Sequence, residues 1–358
     1  MEIALKLTQY TKAILKWYSD NRRELPWRQT SDPYKIWLSE IILQQTRVSQ
    51  GMPYYINFLK SFPSVVDLAN ASEKEVLLEW QGLGYYSRAR NLHKCAKKIV
   101  SDYEGIFPDS YSELIKLPGI GPYTAAAIAS ICFKEPVPVL DGNVYRVLSR
   151  LFNIKSDINS AKGKKTFLHI AKALISDEFP GDFNQAIMEY GALHCLPKNP
   201  KCENCVLNLS CESYSMKNQQ DRPVKSPKKK KRIRFFNYLV LGNDRILYMN
   251  QRVKNDIWKG LYDFQLIESD SKISDATMFL KELGIIKEDE WQIHHIKEYK
   301  HVLTHQVIYA TFYYIDSTIP LNAMKVKPVK NADFYNFDQI ENLPKPVLID
   351  KYLKEEIF

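Results

Sequence analysis

Two groups of side chains in this sequence have the types and spacing to do chemistry. Cys195, Cys202, Cys205 and Cys211 follow the spacing C-x6-C-x2-C-x5-C, which gathers four of the six cysteines into seventeen residues. Four thiolates so placed hold either a tetrahedral zinc or an iron–sulfur cluster, and sulfur's softness suits both. Disulfides carry little weight, because bridged folds are short and secreted, whereas this chain runs to 358 residues without a signal-like start. Cys95 and Cys132 lie in apolar helical settings and are expected to be inert core thiols.

The second group is a pair of acids. Glu40 sits in Ile36-Trp37-Leu38-Ser39-Glu40-Ile41-Ile42-Leu43, where apolar neighbours raise a carboxyl's pKa and keep it protonated. Asp141, in Pro138-Val139-Leu140-Asp141-Gly142-Asn143-Val144-Tyr145-Arg146, reads as a helix N-cap, where amides and the helix dipole keep a carboxylate ionised. Alone, Asp141 is a cap and nothing more. One acid held neutral beside one held charged is the pairing that breaks a glycosidic bond. Composition alone also allows the two acids separate surface roles.

These residues must be carried by helices. Leu7, Tyr10, Ile14 and Trp17 form one apolar face, and Asp32-Pro33 reads as an N-cap followed by a first-turn proline. In Leu117-Pro118-Gly119-Ile120-Gly121-Pro122-Tyr123-Thr124-Ala125, Gly119 and Gly121 make a tight turn between an acidic-capped helix and an alanine-rich one. Free N–H groups at that helix start suit a phosphate. From Asp221 to Arg234 the composition breaks: eight basic residues, one acid and two prolines mark a linker. Beyond it, Phe235 to Leu241, Arg245 to Gln251 and Val307 to Ile315 read as strands, with a helix over Asp275 to Leu283 ended by Gly284. The expected organisation is multi-domain: an all-α domain at 1–213, a basic linker at 214–234 and an α+β domain at 235–358. The net charge of +9 favours a polyanionic partner. Met1 to Tyr18 carries Lys6, Lys12 and Lys16 and lacks a continuous apolar run, so a cytoplasmic protein is expected.

The order hairpin, aspartate, four-cysteine loop resembles the endonuclease III superfamily of helix-hairpin-helix DNA base-excision glycosylases. Within it the chain is similar to the MutY-type adenine glycosylases over essentially its full length. The matching segments are Leu25-Pro26-Trp27, Leu38-Ser39-Glu40, Leu43-Gln44-Gln45-Thr46, Gly82-Leu83-Gly84-Tyr85-Tyr86, Ala89-Arg90-Asn91-Leu92 and Leu140-Asp141-Gly142-Asn143. The resemblance implies a 4Fe-4S cluster on the four cysteines, structural in role, with Lys198 and Lys201 presented to phosphate; zinc is the alternative. It also implies a monomer acting on duplex DNA containing adenine opposite 8-oxoguanine or G. The nucleotide is flipped out of the stack, with Gln45, Leu83 and Tyr85 as wedges in the gap. Glu40 protonates adenine N7, Asp141 stabilises or attacks the cationic sugar, and Tyr123 and Asn143 position them.

Bifunctional relatives carry a lysine where this chain has Tyr123, so hydrolysis without strand cleavage is expected. The C-terminal part resembles a Nudix-like lesion-recognition domain. Thr277, Met278 and Lys281 replace three of the metal-binding charges of a working Nudix helix and only Glu282 remains, so hydrolysis there is not expected. Leu303-Thr304-His305 stands where the family has Phe-Ser-His and is the expected lesion-reading turn. Two alternatives stand beside this reading: a bifunctional glycosylase/lyase, and a non-catalytic metal-containing DNA-binding protein.

Overall fold

The computed structural model describes residues 2–227, 230–242, 245–273, 291–317 and 331–358. The chain divides into two compact units, Met1–Asn70 with Asn91–Pro227, and Ala71–Arg90 with Lys228–Phe358. In chain order the helices before the break are α1 (Glu2–Asn21), α2 (Pro33–Ile42), α3 (Val48–Ser61), α4 (Val65–Asn70), α5 (Glu73–Glu79) and α6 (Ser87–Tyr103). They continue with α7 (Tyr111–Leu114), α8 (Pro122–Phe133), α9 (Gly142–Leu151), α10 (Ala161–Leu174), α11 (Pro180–Leu193) and α12 (Glu212–Ser215). Helix α5 and the start of α6 count with the second unit. Among the described residues no helix is long and apolar enough to cross a membrane.

In the first unit, α1 presents the expected face: Tyr10 and Ile14 are buried, with Leu7 and Trp17 packed at its edge. It lies against α11, which also packs on α8 and α9. Helix α8 is buried from Thr124 to Ser130, and its run of alanines lets both α2 and α11 pack closely on it. Helix α2 starts as its sequence predicts, with Asp32 accepting from the Tyr34 N–H at 2.9 Å and Pro33 in the first turn.

The turn between α7 and α8 depends on Gly119. Its φ of +76° is left-handed, and a Cβ there would stand 2.7 Å from the Cβ of Asn91. Gly121 is different: it caps α8 in an extended conformation, with open space where a side chain would go. The expected acidic cap on the preceding helix comes from elsewhere in the chain. Ser110 precedes α7 without capping it, and the Tyr111 N–H donates instead to the Glu135 carboxylate at 2.6 Å.

The second unit holds a mixed sheet of β1 (Arg232–Gly242), β2 (Ile246–Gln251), β3 (Tyr262–Asp263), β4 (Gln265–Ser269), β5 (Trp291–Val302), β6 (Gln306–Ser317) and β7 (Ala332–Asn336). The strand order is β3-β2-β1-β6-β5, with β4 pairing to β1 and β7 to β2. β1 and β6 run parallel along their full length, and β5 and β6 form a hairpin. The three runs read as strands from the sequence fall on β1, β2 and β6. The expected helix at 275–283, with Thr277, Met278, Lys281, Glu282 and Gly284, lies outside the described residues. Two helices close the chain, α13 (Phe337–Glu341) and α14 (Val347–Glu356). Tyr352 of α14 stacks on Phe312 of β6 at 4.2 Å.

The 71–90 segment is bonded to this unit by its loops. The Gln81 side chain accepts from the Lys345 N–H at 2.8 Å, the Tyr86 hydroxyl donates to the Lys345 carbonyl at 3.3 Å, and Arg90 Nη1 donates to the Lys259 carbonyl at 2.6 Å.

Gly119→Ala is expected to destabilise the protein by about 2–3 kcal/mol, from left-handed strain plus the Asn91 clash. Gly121→Ser, which supplies a good cap in open space, is expected to stay within about 0.5 kcal/mol of the parent. Chemical unfolding checks both, and equal effects would contradict this account of the turn.

Candidate active site

Three helices deliver the expected acids and their partners. Glu40 lies in the last turn of α2, Tyr123 in the first turn of α8, and Asp141 is the N-cap of α9. All three side chains are half-buried. Glu40 has lost most of its solvation, and this raises its carboxyl pKa to about 7. A hydrogen bond with Tyr123 lowers it, the Asp141 charge raises it, and Arg28 lowers it. The Arg28 guanidinium is not free to neutralise Glu40. Both of its terminal nitrogens bond Glu189, at 2.7 Å each.

The Tyr123 hydroxyl has two neighbours, the Glu40 carboxyl and the Met188 sulfur at 3.1 Å. Its single proton cannot serve both. An ionised Glu40 carboxylate is the stronger acceptor of the two. Burial, followed by the charges of Glu40 and Asp141, drives the phenol pKa well above its ordinary value, so Tyr123 stays a donor.

Asp141 is fully occupied. Its Oδ1 accepts from the N–H groups of Asn143 and Val144 at 2.9 and 2.7 Å, and Oδ2 accepts from Asn143 Nδ2 at 2.7 Å. The sequence leads one to expect an ionised cap carboxylate, and these three donors form that cap. Burial raises the Asp141 pKa above its usual value, by more than the hydrogen bonds from Val144 and Asn143 and the charge of Arg146 lower it.

Nothing in the sequence alone gives Arg146 a role. It is buried in α9, one turn after Asn143, and donates to Asn143 Oδ1 at 2.8 Å, the Gly191 carbonyl at 2.6 Å and the Cys195 carbonyl at 2.7 Å. Gly191 has to be small, since a Cβ there would stand 2.7 Å from that of Asn143. One turn further on, Arg150 donates to the carbonyls of Leu196 and Gln219 at 2.6 and 2.7 Å and to Cys195 Sγ at 3.4 Å. The i, i+3 and i+4 spacing along α9 was the available signal, but nothing in the sequence names the distant carbonyls these arginines meet.

Cys195, Cys202, Cys205 and Cys211 carry no disulfide and line one cavity together with Arg150 and His194. Among the described residues, no group of three or more His, Cys, Asp or Glu side chains converges closely enough for a single metal ion. Lys198 and Lys201 are exposed on the same loop. Cys95 is buried and Cys132 half-buried; burial pushes both thiols up to about 12, which keeps them protonated.

Of the expected wedges, Gln45 and Tyr85 are exposed and hold left-handed backbone, with φ of 57° and 49°. Such strain in non-glycine residues collects at working sites. Leu83 differs: it is buried, so it is no exposed wedge in the free protein. Leu303, Thr304 and His305 form the turn between β5 and β6. Within the second unit the Thr304 hydroxyl hydrogen-bonds the Tyr85 hydroxyl, beside a cavity of about 580 Å³ that Trp258 and His305 also line.

Residues 38–173 match the family described as HhH-GPD superfamily base excision DNA repair protein, and residues 237–355 match the NUDIX domain. The adenine DNA glycosylase of Buchnera aphidicola subsp. Baizongia pistaciae (strain Bp) is 37% identical over 349 residues, 94% of each chain. The human adenine DNA glycosylase is 40% identical over 224 residues, 60% of this chain and 41% of that one. Among solved structures, a thermostable thymine-DNA glycosylase superposes with a TM-score of 0.56 at 29% identity, over 60% of this chain and 100% of its own. Endonuclease III in a non-covalent DNA complex shares the fold, with a TM-score of 0.51 at 22% identity over 60% of this chain and 97% of its own. Helical hairpin, paired acids and a nearly full-length likeness agree: the chain belongs to the adenine DNA glycosylases of the helix-hairpin-helix base excision repair superfamily.

Proposed function

We propose that this glycosylase hydrolyses the bond between adenine and its sugar where adenine stands opposite 8-oxoguanine or G in duplex DNA, leaving the strand intact. The observation that carries the reading is the Glu40 carboxyl with a pKa of about 7, electrostatically coupled to Asp141. Protonated Glu40 gives its proton to N7 of the extruded adenine. The C1′–N9 bond then breaks with its electron pair leaving on the base, and water supplies hydroxide to C1′ while its proton passes to the Glu40 carboxylate left by the first transfer. Asp141, held by Asn143 and the start of α9, presents negative charge to the developing sugar cation. Tyr123 occupies the position where a lysine would form a Schiff base, and a phenol has no amine with which to trap the opened sugar.

Four soft donors ranged round a cavity suit a group several ångströms across, which favours a 4Fe-4S cluster on Cys195, Cys202, Cys205 and Cys211. When bound it ties the loop to α9 and takes no part in the hydrolysis. Lys198, Lys201, Gly119 and Gly121 would meet backbone phosphates, with Gln45 and Tyr85 entering the vacated stack. Thr304 and His305 would read the lesion, with Leu303 beside them in place of an aromatic. The protein would act as a monomer on the bacterial nucleoid.

The decisive assay incubates the protein with duplexes pairing A with 8-oxoguanine, A with G, and 8-oxoguanine with C. Alkali-dependent cleavage confined to the adenine strand is expected, and excision of 8-oxoguanine itself would contradict the proposal. Thr304→Ala is expected to lower the preference for 8-oxoguanine over G by about 10-fold, the worth of one polar contact.

Glu40→Gln is expected to slow single-turnover excision by roughly 10²–10⁴-fold with duplex affinity kept, the contribution of a positioned general acid. An active variant would remove Glu40 from the chemistry. The acid must be protonated, so the parent's rate falls as pH rises through about 7. Because the Tyr123 hydrogen bond lowers the Glu40 pKa, Tyr123→Phe is expected to shift that alkaline limb to higher pH. An unmoved limb would show that the phenol does not set the pKa.

A further inference from the structure

The four cysteine sulfurs do not have equivalent surroundings. Cys205 Sγ lies 2.9 Å from the Tyr190 hydroxyl and 3.4 Å from the Leu207 N–H, whereas Cys195 Sγ has the Arg150 guanidinium at 3.4 Å. Tyr190 lies in the last turn of α11 and is 1% exposed. Its ring is clamped by His194, stacked at 4.9 Å, and by Trp17, edge-on at 4.8 Å. The Val206 N–H bonds to its oxygen, so the phenolic proton must point elsewhere. A metal-bound cysteine is a thiolate with no proton to give, and the tyrosine is then the donor.

We propose that Tyr190 is a positioning residue for the metal group: its hydroxyl donates to the Cys205 thiolate and delocalises the charge at that corner of the site. The proposal rests on the reading that the four cysteines hold an iron–sulfur cluster. A donor aimed at a ligating sulfur spreads its negative charge. This favours the more negatively charged oxidation state, so the reduction potential rises, and it makes the sulfur a poorer target for protons and oxidants, so the group is lost more slowly. None of this touches the hydrolytic step, so the hydroxyl tunes the group and not the reaction.

The test compares the full-length parent with Tyr190→Phe, which keeps the clamped ring and removes only the hydroxyl, and with Trp17→Phe, which disturbs the clamp without touching sulfur. Iron and sulfide content, reduction potential by film voltammetry and iron release to a chelator are measured for each. Tyr190→Phe is expected to retain iron, to shift to a more negative potential and to release iron about 2- to 10-fold faster, the factor set by one net hydrogen bond. Trp17→Phe is expected to match the parent. Replacing Tyr190 by 3-fluorotyrosine, a stronger donor of the same shape, is expected to move the potential the other way. Parent-like values for Tyr190→Phe, or an equal shift in Trp17→Phe, would overturn the proposal while leaving the cluster reading intact. A parent protein that purifies with zinc and no iron would overturn both together, so the two failures are distinguishable.

Discussion

The site depends on a carboxyl kept without a counter-ion. Two glutamates in this helical unit show how much environment decides. Glu189 lies almost fully buried, but two arginines grip it, Arg23 through Nε and Nη2 and Arg28 through Nη1 and Nη2, and its pKa falls to about 2. Glu40 has no such partner, and its pKa rises to about 7. Both begin from the same intrinsic acidity, so the difference is set by where the guanidinium groups are spent. By committing Arg28 to Glu189, the fold ties α11 to the start of the chain and leaves Glu40 able to keep a proton near neutral pH.

Helix α9 organises the other half of the site. Its cap is Asp141, its first turn carries Asn143, its second Arg146 and its last Arg150, and each successive residue reaches further toward the cysteine loop. The Asp141 carboxylate, the Asn143 amide and the Arg146 guanidinium are bonded in series, and Arg146 and Arg150 meet at the Cys195 carbonyl, so every link is directional and partly or fully buried. Such chains resist partial disruption, because losing one member leaves its neighbours with unpaired buried groups. The loop's fold and the orientation of Asp141 are therefore two ends of one structure.

Much of this was legible in the residues. The caps at Asp32 and Asp141, the glycine hairpin at Gly119, the apolar face of α1 and three strands of the sheet follow from local preferences, which act over a few residues and leave a mark at fixed spacing. Glu40 was legible because its neighbours are apolar, which is a statement about desolvation. What was missed depends on long-range pairing. Burial of Asp141 deep enough to raise its pKa, the inward turn of Leu83, the Arg146 contacts with Gly191 and Cys195, and the grouping of 71–90 with the C-terminal unit each need a partner tens to hundreds of residues away. Strand β5 escaped detection because its alternation is broken by charged and polar residues, and its pairing with β6 supplies the order that its own pattern does not.

The central claim is that desolvation holds the Glu40 proton into the neutral range. The most direct measurement follows the carboxyl carbons of glutamate-labelled protein by NMR from pH 4 to 9, in the parent and in Glu40→Gln. One carboxyl titrating near pH 7 is expected in the parent and absent from the variant. If every glutamate that disappears on substitution titrates at about 4–5, the ordinary range for an exposed side chain, Glu40 is ionised at neutral pH and this account of the site is contradicted.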